Sequence, residues 1–273
     1  MKTIFILTDF SDAARNAADY GVALAEHLGA ELVLYHAYST PVSIPDSYFE
    51  IHPEHIRKDA EAQLLQEVKR IRTTDEQAIA IFAEEGNTAS AVMAKASAYP
   101  DCLLVSGMKK EDQLLRRIMG STVTSLSGNG KLPLLVVPEG YTFKTPERIM
   151  FASDIKNDSS GHLLHWLHII ADRFTSQLTV VQVLTDEGAD DLKNRGWEIR
   201  FSEDFSKLDT HLEFVHDHHV AHGLELFAAG KGMDILFIMP HHHSFFYRLF
   251  HSSESKKMIF HSKIPLMLLP EKA

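Results

Sequence analysis

Ser106–Glu139 reads SGMKKEDQLLRRIMGSTVTSLSGNGKLPLLVVPE, and Ile238–Glu271 reads IMPHHHSFFYRLFHSSESKKMIFHSKIPLMLLPE. The two stretches align without a gap at an offset of 132, and their apolar positions coincide, as do Pro133/Pro265, Pro138/Pro270 and Glu139/Glu271. Upstream, RIMFASD (Arg148–Asp154) repeats the opening run IFIL-Thr8-Asp9, with Asp154 in the place of Asp9 at an offset of 145. The chain is an internal duplication, shorter in the middle of its second copy. Gly140–Pro146 reads as the linker, giving domains 1–142 and 147–273.

Within each copy, short apolar runs alternate with helical patterns. In the first copy IFIL and ELVLYHA (Glu31–Ala37), Ala78–Ala83, Cys102–Ser106 and Leu134–Val137 are the expected strands. Ser11 or Asp12 can cap a helix to Leu28, which Gly29 stops. Further helices are expected from Glu54 to Arg72, from Asn87 or Thr88 to Tyr99, and from Gly120 to Leu126. Apolar strands alternating with helices predict an α/β fold with a parallel sheet covered on both faces.

Composition narrows the function. The 273 residues are 45% hydrophobic, enough for two cores, and the net charge of −10 divides evenly between the copies. An acidic chain without a basic tract is a poor nucleic-acid binder, because phosphate contacts supply most of that affinity. The lone Cys102 excludes an internal disulfide and suits a reducing compartment. No apolar run reaches the ~18–20 residues of a membrane span, so no membrane association and a cytoplasmic location are expected.

Ser106–Thr122 carries chemistry as well as register. Gly107 opens it, Lys109, Lys110, Arg116 and Arg117 line it, and Gly120-Ser121-Thr122 close it before a helical pattern. Glycines permit close backbone approach to an anion, and a helix start offers unpaired N–H donors. Phosphate is the natural guest. In an open parallel sheet ligands sit beyond the carboxyl ends of the strands, where Asp9 and Gly107 would meet if the strand order is 3-2-1-4-5. Asp9 as a helix cap and Gly107 as a mere turn remain alternatives.

These residues bear a family likeness. A strand ending in Thr8-Asp9-Phe10-Ser11, a small five-stranded Rossmann-like unit and a closing Pro-Leu-Leu-Val-Val-Pro strand resemble a universal stress protein domain, and the resemblance covers both copies. Many members bind ATP through G-x2-G-x9-G-[ST]. Gly107 matches its first glycine and Gly120-Ser121 its last pair, while Lys110 replaces the middle glycine and can either crowd the cradle or pair with a phosphate. The second copy has Met239, His242 and Ser252-Ser253 at these positions. The resemblance implies Asp9 near the adenine or ribose, Ala37 beside the base, and Gly107, Gly120, Ser121 and Thr122 along the phosphates of ATP or a related adenine nucleotide. It implies two domains paired about a pseudo-twofold axis, with Leu134–Val137 and Leu266–Leu269 antiparallel. Chain homodimerisation and protein partners stay open.

Thirteen of the 17 histidines follow Thr145. Asp154 with His241 and His243 is a candidate site for zinc or another divalent metal, and would suit a metal-assisted hydrolase. His216, His218, His219 and His222 are expected as a separate patch, and His162, His165 and His168 recur at helical spacing around Trp166. Surface positions and pH sensing are the competing readings. Phe245, Phe246, Tyr247 and Phe250 follow, as loop filling or a partner surface. No G-x-S-x-G elbow, GxxxxGK[ST] loop or catalytic Cys–His context occurs. A regulatory nucleotide-binding protein of stress adaptation is therefore expected, with a non-nucleotide, partner-binding stress protein as the alternative and slow ATP hydrolysis as the most enzymatic form.

Overall fold

The computed structural model describes residues 2–40, 53–72, 78–86, 88–109, 125–126, 132–152, 164–184, 205, 208–239 and 262–270. Two compact units emerge, one with Met1–Lys110 and Val136–Phe143, the other with Glu111–Leu135 and Lys144–Ala273.

The first half runs β1 (Thr3–Leu7), α1 (Asp12–Leu28), β2 (Glu31–Tyr38), α2 (Pro53–Ile71), β3 (Ile79–Glu85), α3 (Thr88–Ala96), β4 (Cys102–Met108) and β5 (Leu134–Pro138). Its strand order is β3-β2-β1-β4-β5, and β1 pairs in parallel with both β2 and β4. Every residue of β1 is buried, as a central strand covered on both faces must be. β3, at the end of the order, is only partly buried.

Helix α1 begins where Ser11 Oγ accepts the Ala14 N–H at 3.3 Å, with Asp12 in the first turn favouring the positive dipole end. It ends on Gly29, whose left-handed φ of 61° lets its N–H reach the Ala25 carbonyl. Its buried face holds Ala13, Ala14, Ala17, Ala18 and Gly21. These small residues bring the helix close to the sheet: a methyl group on Gly21 would lie 3.0 Å from Ile6.

A buried charge joins α1 to α2. Glu67 is only 4% exposed, and Arg70 clamps one carboxylate oxygen with Nε at 3.0 Å and Nη2 at 2.7 Å. Arg70 Nη1 also donates to Asp19 Oδ1 at 2.7 Å and Nη2 to the Arg15 carbonyl at 3.2 Å, both on α1. Partial desolvation works against the Arg70 charge, but the two carboxylates outweigh it and raise its pKa.

Burial at the start of β4 leaves Cys102 2% exposed and pushes its thiol up to about 12. A buried, protonated thiol is a poor nucleophile. A thiol-specific reagent at pH 8 is expected to leave the folded protein unlabelled and to titrate one thiol in denaturant; rapid native labelling would contradict this burial.

The second half runs β6 (Arg148–Ala152), α4 (His165–Phe174), β7 (Gln177–Leu184), β8 (Thr210–His216), α5 (Val220–Lys231), β9 (Ile235–Ile238) and β10 (Leu266–Leu268). Its order β10-β9-β6-β7-β8 is that of the first half, with β6 in the place of β1. β6 pairs in parallel with β7 and β9. Asp234 secures its start, accepting the Arg148 N–H at 2.9 Å and the Lys144 ammonium at 2.5 Å. Each half is thus the expected five-stranded α/β unit of order 3-2-1-4-5.

Several boundaries moved. β4 continues through Gly107 to Met108, so Gly107 lies within a strand. α3 stops at Ala96, short of the expected Tyr99. Ser97–Tyr99 form closing turns, Tyr99 N–H bonding the Ala96 carbonyl at 3.0 Å. The expected helix from Gly120 is described only at residues 125–126.

Candidate functional site

Parallel pairing sets the carboxyl edge of the first half. Leu7 stands opposite Tyr35, and Ile6 opposite Val105. Asp9 and Ala37 each lie two residues beyond the first pair, and Thr8 and Gly107 two beyond the second. Asp9, Ala37 and Gly107 therefore share one sheet edge, where α/β folds of this kind hold ligands.

The turn leaving β1 is built by its own polar atoms. The Thr8 N–H bonds the Tyr35 carbonyl at 2.9 Å, and Thr8 Oγ1 accepts the Phe10 N–H at 3.0 Å. Asp9 Oδ1 accepts both the Ser11 N–H at 3.0 Å and the Ser11 hydroxyl at 2.5 Å. Ser11, not Asp9, caps the helix. Asp9 instead aims the capping hydroxyl. Desolvation raises the Asp9 pKa, but the two Ser11 bonds and the Lys109 ammonium outweigh it and hold the carboxyl below the usual value. It is ionised at neutral pH.

Phe10 and His36 also stand at this edge, and the sequence reading missed them. Phe10 has a left-handed φ of 62°, a conformation costing a side-chain-bearing residue about 1 kcal/mol or more. Its ring packs against His36 at a centroid distance of 4.5 Å. His36 Nδ1 lies 2.7 Å from the Thr8 carbonyl, so that nitrogen carries the proton and Nε2 is the acceptor in the neutral ring. The signal in the sequence was faint: a histidine closing an otherwise apolar strand beside Ala37.

Gly107 is glycine for a packing reason. A Cβ there would fall inside van der Waals contact of the Ala13 carbonyl and 2.9 Å from the Ala14 nitrogen, both backbone groups in the first turn of α1. The matching residue of the second half, Met239, is also buried, while the residues there that correspond to Ala13 and Ala14 lie outside the described ones.

Lys110, Gly120, Ser121 and Thr122 lie outside the described residues, as do Asp154, His241 and His243. Among the described residues no group of three or more His, Cys, Asp or Glu side chains could hold a metal. His162 also lies outside them, while His165 and His168 fall on α4. In the other histidine patch, Asp217 accepts the His219 N–H at 2.8 Å and sits 2.7 Å from His222 Nδ1. The His219 bond, then that of His222, lowers the Asp217 pKa. The patch builds the start of α5, where the His219 side chain makes no cap. Among the described residues, no helix is long and apolar enough to cross a membrane.

The Universal stress protein family profile matches residues 1–138. No curated protein matches. Among solved structures, a universal stress protein from Archaeoglobus fulgidus is similar at 14% identity and TM-score 0.72, over 97% of each chain. A putative universal stress protein from Pseudomonas aeruginosa is similar at 13% identity and TM-score 0.59, over 99% of this chain and 93% of that one. A functionally unknown protein from the same organism is similar at 14% identity and TM-score 0.57, over 99% and 92%. The chain belongs to the universal stress protein family, in its two-domain form.

Proposed function

We propose that this chain is a cytoplasmic regulatory protein of stress adaptation that binds an adenine nucleotide in its first domain, residues 1–142. The second domain, residues 147–273, lacks the glycines of the loop. The observation that carries this reading is the ionised Asp9 carboxylate at the carboxyl edge of β1, at the same sheet edge as Ala37 and Gly107 and with Lys109 close enough to favour its charge. A ribose hydroxyl suits that carboxylate, Ala37 offers a small half-buried wall for a base, and the basic residues from Lys109 onward suit phosphates.

Calorimetric titration with ATP, ADP and AMP tests the reading, and no heat from nucleotide-free protein removes it. Asp9→Ala is expected to weaken binding about tenfold, the size of a lost hydrogen bond to a charged group. Because Asp9 also holds Ser11, the melting temperature is measured alongside; Asp9→Asn, which keeps an acceptor for Ser11, separates charge from turn geometry. Gly120→Val, in the loop outside the described residues, is expected to abolish binding, and unchanged affinity would show that this loop does not cradle the phosphates.

A second reading has its own support. Packing alone accounts for Gly107, so that glycine does not argue for a ligand. A stress protein that binds only a protein partner would show the same fold and no nucleotide heat.

A further inference from the structure

A cavity of about 250 Å3 lies in the second half between α5, β9 and the segment leading into β10. Leu236 and Ile238 point to the same face of β9, as alternate strand residues do, and Leu236 pairs with Leu266. All three line the cavity, while Ala228 and Gly232 leave it open on the helix side. Its size is informative: an apolar cavity of about 150 Å3 takes benzene, so this one has room for a phenyl or branched aliphatic side chain with part of its backbone.

The rim carries opposite charges. Glu225 on α5 and Lys263 before β10 both line the opening and are exposed, and neither forms an ion pair with a described residue. The first copy has Met93 and Lys131 at the matching positions, so the opposed pair belongs to this half and not to the repeat. A plain hydrocarbon would use neither charge. A fatty carboxylate would meet Glu225 as well as Lys263. A molecule with an apolar body and both an ammonium and a carboxylate uses the lining and both rim groups. We infer that the cavity binds an α-amino acid with a bulky apolar side chain. Its ammonium faces Glu225, its carboxylate faces Lys263, and its side chain lies over Leu236 and Leu266.

Calorimetry on the full chain with L-phenylalanine tests this, using phenethylamine and 3-phenylpropanoate as analogues lacking one charge each. Saturable binding of phenylalanine is expected, with each analogue at least fivefold weaker. Glu225→Gln and Lys263→Gln are each expected to weaken phenylalanine at least fivefold while restoring near-equal affinity for the analogue that lacks the matching charge. Ala229→Phe, at an exposed lining position, is expected to block binding with the far-UV circular dichroism and melting temperature unchanged. If that variant unfolds, the two exposed rim variants still decide. Absence of saturable phenylalanine binding, equal affinity for an analogue, or full binding by both rim variants would overturn the inference.

Discussion

Gly107→Ala is expected to destabilise the protein by about 3 kcal/mol, at the upper end of overpacking costs in a well-packed interior. The added methyl would meet backbone, and backbone cannot swing aside as a side chain can. The groups it meets, the Ala13 carbonyl and the Ala14 nitrogen, belong to the turn whose N–H groups Ser11 caps. Helix α1 would have to lift from β4, losing apolar contact along Ala14, Ala17 and Ala18. Urea unfolding checks this, with Gly230→Ala as control: nothing lies within 4 Å of a Cβ at Gly230. On α5, alanine there should gain up to about 1 kcal/mol of helix propensity. A Gly107→Ala protein as stable as the parent would show that α1 does not sit on β4 as described. Because Asp9 and Ser11 share that turn, lost nucleotide affinity in this variant would not by itself identify a phosphate contact.

Arg70→Met is expected to cost about 3 kcal/mol. Glu67 would remain buried, with Arg15 Nε at 3.8 Å as its nearest surviving cation. That arginine is half exposed, and its geometry is poorer than the paired bonds Arg70 supplies. A carboxylate left buried without its donors bears most of its desolvation cost. The companion experiment removes the charge too. Glu67→Leu combined with Arg70→Met should recover most of the loss, since an apolar pair of similar volume avoids that cost. If the double variant is no more stable than Arg70→Met alone, the penalty arises from the lost Arg70 bonds to Asp19 and the Arg15 carbonyl.

The fold was legible because its determinants are local or periodic. Apolar runs, the Ser11 cap, the Gly29 stop and the repeat spacing all sit within a few residues or recur at one offset, and the strand order follows once the family likeness is seen. The site was legible only in outline. Asp9, Ala37 and Gly107 were brought to one edge because strand register is set by the sheet. A glycine that turns a loop and one that admits a helix backbone look identical in sequence, so the packing role of Gly107 was hidden. The Arg70 clamp was equally hidden, since Asp19 and Arg70 are 51 residues apart. His36 read as part of a strand because nothing local shows that its ring reaches across to the Thr8 carbonyl.

Phe10 places the first half under a trade. Glycine would adopt its left-handed backbone with no steric penalty, yet the chain keeps an aromatic ring there, resting on His36 at the mouth of the candidate site. Relieving that backbone with glycine would take away the ring that packs on His36. The turn leaving β1 thus marks a position where backbone ease and the ring contact with His36 pull in opposite directions, and where selection for heat resistance alone would favour losing the ring.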